Sequence, residues 1–292
     1  MLAPLLGFLG ALAYGSADFL GGFAAKRISA VRAAGLSALS GLVVLLVALA
    51  FSGGRWSASA VAWGALSGVA GAVALALLYA CLAIGPMSIL SPLTAVISAV
   101  VPLAWGVLNG ERFAPLGWFA LGLALVAVVL VGFVPERGAV RPRPRGLVMA
   151  VGSGTLIGVF IILIDQTPSD SGLVPLVVNR AVNASIMFAT VGVVWLATRR
   201  SRRVGGAGTA TTGGWRPGLV FAAAGGVVDA TANVLLLVGL RLGELSVMSV
   251  LTALYPAGTI ILAAIVLKER IAPVQWAGLV LALVATGMLA AA

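Results

Sequence analysis

Ten stretches of roughly 20 predominantly apolar residues follow one another along the chain, parted by short clusters of Gly, Pro, Arg and Glu. They fall near residues 3–25, 30–51, 59–84, 87–109, 114–134, 146–165, 173–198, 217–240, 244–267 and 272–291. At about 1.5 Å of rise per residue each is long enough to cross the ~30 Å hydrocarbon core of a bilayer, where a helix satisfies its own backbone. The pattern predicts an all-α membrane protein with ten transmembrane helices. Only two connections are long, 135–145, rich in Arg and Pro, and 199–216, rich in Arg, Gly and Thr, and neither has room for a domain. The first run lacks a charged leader and carries Asp18 within it, so it reads as a retained helix rather than a cleaved signal.

The second half of the pattern repeats the first. Residues 85–132 laid over 243–290 without a gap give about 18 identities in 48 positions. Ala and Leu inflate that count, but Gly85 with Gly243, Ser88 with Ser246, Ser91 with Ser249, Thr94 with Thr252, Glu111-Arg112 with Glu269-Arg270, Pro115 with Pro273 and Trp118 with Trp276 are rarer coincidences. Each half, 1–134 and 146–292, holds five spans, with 135–145 as linker. Because five is odd, the second copy enters the membrane in the opposite sense, which predicts two inverted five-helix repeats.

Charge refines the topology. About 14 of the 18 Lys and Arg follow odd-numbered spans, about three follow even-numbered ones, and Arg180 lies inside a span. By the positive-inside rule the odd connections face the cytoplasm and both termini lie outside. The net charge of +10 is thereby a topology signal, and with no basic, aromatic-rich folded segment it implies no nucleic-acid partner. Hydrophobic residues make up 61% of the chain at a mean hydropathy of +1.17, which leaves no water-facing surface for a soluble fold. Histidine is absent and Cys81 is the single cysteine, so no intrachain disulfide, thiolate cluster or Ser-His chemistry is expected, nor any metal or cofactor.

With Glu111-Arg112 and Glu269-Arg270 each following the fourth helix of a half, then Pro and a Gly- or Ala-rich fifth helix, the sequence resembles the EamA-type transporters of the drug/metabolite transporter superfamily. Tyr14-Gly15-Ser16-Ala17-Asp18-Phe19 is similar to that family's aromatic-Gly motif in helix one, with Tyr for the usual Trp and an acidic residue added. Arg180 matches an Arg in the second helix of a half, without a counterpart in the first half. The resemblance implies a secondary carrier of amino acids, metabolites or drugs. It also implies a cavity among spans one, three and four and their counterparts six, eight and nine, and cytoplasmic termini, the reverse of the orientation that the charge count favours.

An ionisable group deep in the hydrocarbon marks a substrate or proton path, or else a buried structural hydrogen bond, and Asp18 sits about 14 positions into its span. It is the candidate to exchange a proton or bind a cationic group. Arg180 and Asp229 lie on consecutive antiparallel spans at depths that agree within about 4 Å, which predicts an ion pair, with Asn233 one turn beyond Asp229. That pair is as well suited to holding the fold as to binding. Tyr14, Tyr79 and Tyr255 are candidate cavity walls, although aromatic residues in membrane helices commonly pack or anchor. Pro102 and Pro256 are expected to interrupt spans four and nine, freeing carbonyls or merely kinking the helix. Gly64 with Gly68 and the repeated Ser and Thr positions suit close helix packing. Glu111 and Glu269 sit in tight charged turns, where capping of helix ends with Lys and Arg neighbours such as Arg112 and Arg270 is the bland role and gating the sharp one.

The expected activity is that of a non-enzymatic secondary transporter, an exporter of a small metabolite, amino acid or drug by alternating access, with the lipid bilayer, a small-molecule substrate and protons as partners. A channel or uniporter shares the architecture. A non-transporting membrane partner or a lipid-modifying enzyme needs, respectively, a signalling domain or a catalytic constellation that the sequence does not supply.

Overall fold

The computed structural model describes residues 2–84, 87–133, 143–203, 216–268 and 270–292, with side chains at all of these except 79, 82–84, 87–88, 197–203 and 217. Ten helices among them are long and apolar enough to cross a membrane. Nine spans are single elements: α1 (Leu2–Ala25), α2 (Ala30–Ser52), α3 (Ala58–Ile84), α4 (Met87–Leu108), α5 (Pro115–Gly132), α6 (Pro144–Asp165), α7 (Val174–Arg203), α8 (Arg216–Leu242) and α11 (Pro273–Ala291). The ninth span is two pieces, α9 (Leu245–Thr252) and α10 (Tyr255–Val266), and a short 3-10 helix (Ser169–Ser171) precedes α7. The linker predicted at 135–145 lies outside the described residues except at its end.

The two prolines behave differently. Pro256 opens α10, and Ala253 and Leu254 before it leave the regular helix with ψ of −9° and 6°. Pro102 does not interrupt its span: α4 runs unbroken through Pro92 and Pro102. The reason is packing, since Gly158 of α6 offers no side chain against Val101 and Pro102, and α4 lies held along α6 there. The position that matches Pro256 in the first half is Ser98, so the break belongs to the second half alone.

Successive spans alternate in direction, giving two ends to the molecule. One end gathers both termini and the turns near 53–57, 109–114, 166–173 and 243–244; here the Arg55 amide donates to the Asp170 carbonyl at 3.1 Å and Arg241 donates to the carbonyls of Pro168 and Gly172. The other end carries Lys26, Arg27, Arg143, Arg145, Arg216, Lys268 and Arg270. There the Arg27 guanidinium stacks 4.5 Å from both the Phe23 and Phe221 rings, tying α1 to α8.

Helices pack in pairs across the molecule: α1 on α8, α3 on α6, α4 on α6, α1 on α9 and α10, α2 on α8 and α3 on α7, with α5 on α11 at the side. Small residues bring backbones together, as Gly64 and Gly68 do against Pro175 and Asn179 of α7. Buried hydroxyls then bond to carbonyls of the neighbouring helix, Ser153 to Ala74 at 2.8 Å and Thr94 to Ala150 at 3.3 Å. In lipid no water competes for those carbonyls.

Candidate functional site

Helix α1 meets α10 backbone to backbone. A Cβ on Gly15 would lie 2.8 Å from the Gly258 Cα, a Cβ on Gly258 would lie 2.9 Å from the Leu12 Cα, and Thr259 Oγ1 donates to the Gly15 carbonyl at 2.9 Å. This contact fixes Tyr14 and Asp18 of α1 opposite Tyr255, the first residue of α10 after the break. From the other side α7 presents Asn179, Arg180 and Asn183, and α8 presents Asp229 and Asn233.

These side chains line one cavity of about 200 Å³ at the middle of the spans. Its remaining walls, from α3 and α6, are apolar: Leu75, Leu78, Ile157, Phe160 and Ile161, with Gly71 and Ala74. The cavity therefore has a polar side and a greasy side.

The Arg180 guanidinium forms an ion pair with the Asp229 carboxylate, both largely buried. Asn233 Nδ2 donates to the Asp229 carbonyl at 2.8 Å, and Asn179 is held by Ser67 of α3 at 2.9 Å. Asp18 has no cation within salt-bridge range among the described residues, and its side chain is open to the cavity. Besides Arg241 Nε at the terminal end, three polar atoms are buried without a partner among the described residues: Tyr14 Oη, Arg180 Nε and Asn233 Oδ1. Each belongs to a residue that lines the cavity. Orphaned groups cost roughly 1–3 kcal/mol each, and their convergence on one space is the mark of a site completed by something else.

The cavity is closed toward the terminal end. A continuous cluster of buried residues there joins six helices through Ala3, Leu45, Ile164, Leu176, Leu237 and Met248. Toward the basic end the buried apolar residues that are described fall into separate groups, one of α1, α2 and α8 around Ala24 and Ile28, another of α3, α4 and α6 around Cys81 and Leu90, a third of α5, α10 and α11. Gly21 and Gly22, near that end of α1, face open space.

The terminal end is also latched by a carboxylate. Glu111 accepts the amides of Leu245 and Ser246 at 2.7 and 3.2 Å and the Ser246 hydroxyl, filling the N-terminal cap of α9. The cap residue itself, Glu244, makes no side-chain capping bond. Glu111 thus caps a helix, not through its Lys and Arg neighbours but by reaching across to the other half of the chain, where the amides of the first turn of α9 attract an anion. Arg112 and Arg270 are exposed.

The sequence model of the EamA-like transporter family matches residues 144–291. The chain belongs to that family. No curated protein matches the sequence. Among solved structures, one described only as a crystal structure of a protein superposes with a TM-score of 0.74 at 15% identity, covering 99% of this chain and 98% of that one, a likeness of fold.

In this EamA-like protein the cavity brings together Asp18, Tyr14, Asp229, Asn233 and Tyr255, and Arg180 joins them as the partner of Asp229. Tyr79 lies on α3 with its side chain outside the described residues, and Glu269 lies outside them altogether. Pro102 contacts α6 and is not among the residues that line the cavity. Pro256 is buried beside Tyr255. Asn179, Asn183 and Thr252 were not singled out as cavity residues by the sequence. Asn179 and Asn183 flank Arg180 at helical spacing in an otherwise apolar span, which is the signal that could have found them.

Proposed function

We propose that this EamA-like protein is a secondary transporter that moves a small molecule by alternating access, exporting it from the cytoplasm of a bacterium across the inner membrane. The observation that carries the reading is the central cavity, walled by helices of both halves, closed by a continuous core at one end and flanked by separate clusters at the other. A space open to one side at a time is what a carrier needs and a channel does not.

The helix pairs support two inverted five-helix units, 1–134 and 146–292. Exchanging α1 with α6, α2 with α7, α3 with α8 and α4 with the ninth span turns the contact of α1 on α8 into that of α6 on α3. It likewise turns α2 on α8 into α7 on α3, both of which exist. Such exchange lets one unit rock against the other about a fixed midplane site. With the arginine-rich end cytoplasmic, the described conformer is inward-open.

Asp18 is the acid we assign to proton exchange. The groups that face it are the neutral hydroxyls Tyr14 and Tyr255, while Arg180 is taken by Asp229, which leaves Asp18 to load and release a proton as the cavity changes sides. The test is counterflow in proteoliposomes loaded with pooled amino acids, nucleosides and cationic drugs, comparing wild type with Asp18→Asn across a pH gradient. Saturable exchange whose pH dependence disappears in the variant is expected. Unsaturable flux would point to a channel, and unchanged pH dependence would remove Asp18 from the role.

A further inference from the structure

The charges that line the cavity do not balance. Asp18 and Asp229 contribute two carboxylates and Arg180 one cation, so with all three ionised the described lining carries one uncompensated negative charge, at Asp18. In a low-dielectric site between helices an unpaired carboxylate is costly, and it is neutralised either by a proton or by a cation. The orphaned atoms add a pattern to the charge. Asn233 Oδ1 wants a donor, Arg180 Nε is a donor that wants an acceptor, and Tyr14 Oη accepts or donates. Because the Arg180 charge is already matched by Asp229, the acceptor it lacks is a neutral oxygen and not a carboxylate. Opposite lie Leu75, Leu78, Ile157 and Phe160, which offer only apolar contact. The space is about 200 Å³, so the occupant is small.

Resting on the transporter reading, we propose that the substrate is a small amphipathic monocation. Its ammonium sits at Asp18 and Asn233, a carbonyl or hydroxyl oxygen meets Arg180 Nε and Tyr14, and an apolar body lies along α3 and α6. Substrate and proton then compete for one carboxylate, and neither a zwitterion nor an anion balances the cavity. A zwitterion leaves the site with the net charge it had before binding.

Four probes that share one branched apolar body separate these cases: leucinamide and isopentylamine, both cations, the zwitterion leucine, and the anion 4-methylpentanoate. Their binding to the full-length protein in lipid nanodiscs is measured near neutral pH, with counterflow in proteoliposomes alongside. Leucinamide should bind at least about tenfold more tightly than leucine, isopentylamine should fall between for lack of the oxygen, and 4-methylpentanoate should be weakest. Asp18→Asn should erase the difference between leucinamide and leucine, and Asp18→Glu, which keeps the charge, should preserve the order. Leucine binding as tightly as leucinamide, or none of the four binding to folded protein, overturns the assignment. Exchange of leucine without leucinamide removes the cation site but leaves the carrier standing. Binding of leucinamide without exchange keeps the site and removes the carrier.

Discussion

Glu111 takes the backbone amide of Leu245 at 2.7 Å, although 134 residues separate them, and so ties the turn after α4 to the first turn of the broken ninth span. The bond links a membrane surface to the cavity in few steps, because α9 is only eight residues long and ends at Thr252, which lines the cavity. Glu111→Ala strands two amides, leaves the Ser246 hydroxyl only the Leu103 carbonyl at 3.3 Å, and should lower stability by about 1–3 kcal/mol, while Glu111→Gln, keeping one acceptor oxygen, should lose less. Thermal unfolding of both variants in the same lipid measures the order.

Beside this latch stands Glu244, whose carboxyl is held above its ordinary range first by partial burial and then by the neighbouring charges of Glu111 and Asp165. The folded state therefore holds the Glu244 proton more tightly than the unfolded chain does. Its contribution is fully present below the unfolded value and is lost as pH rises through the folded one. Glu244→Gln should raise the unfolding temperature near neutral pH and leave it unchanged in acid. Equal gains at both pH values would remove Glu244 as the source.

The Arg180 and Asp229 pair predicts a non-additive cycle. Arg180→Asp or Asp229→Arg alone sets two like charges against each other in the cavity wall, at a cost of about 3–5 kcal/mol. Exchanging the two, Arg180→Asp with Asp229→Arg, should recover part of that loss. A double variant less stable than either single one would mean that the pair does not act as a unit.

Much of this was legible in the sequence because lipid imposes simple rules. Hydrocarbon thickness sets the length of a span, and the cost of buried charge makes Asp18, Arg180 and Asp229 conspicuous, so the ten helices and the charged residues of the cavity could be read from residue types and depth, while Asn179 and Asn183 could not. The greasy side could not, since Leu75 and Phe160 look like any other apolar residue until neighbouring helices are in place. The Glu111 latch was hidden for a related reason: it joins residues distant in the chain, and the local Lys and Arg offered a nearer explanation. Pro102 misled because a proline's effect depends on what packs against it, here Gly158 of α6.

The close approach of α1 to α10 should tolerate no side chain at Gly15. A Cβ there would meet the Tyr255 carbonyl and the Gly258 backbone, neither of which can move without shifting the helix that carries Tyr255 into the cavity. Gly15→Ala should therefore weaken binding of any cavity ligand together with stability, whereas Gly22→Ala, at a helical position facing open space, should leave binding unchanged and stability equal or higher by up to about 1 kcal/mol.

Tyr14 separates a site from a scaffold. Its hydroxyl is buried without a partner, so in the empty protein it contributes a desolvation penalty and no bond. Were Tyr14 only a packing residue, Tyr14→Phe would leave ligand affinity alone. If the hydroxyl waits for a ligand, its removal should leave stability equal or higher, by up to about 1–3 kcal/mol, and should weaken binding of leucinamide several-fold. Function and stability then move in opposite directions, which loss of folding cannot imitate. Unfolding temperature and leucinamide affinity measured on one preparation decide between the two: a stable variant with unchanged affinity assigns Tyr14 to the wall alone.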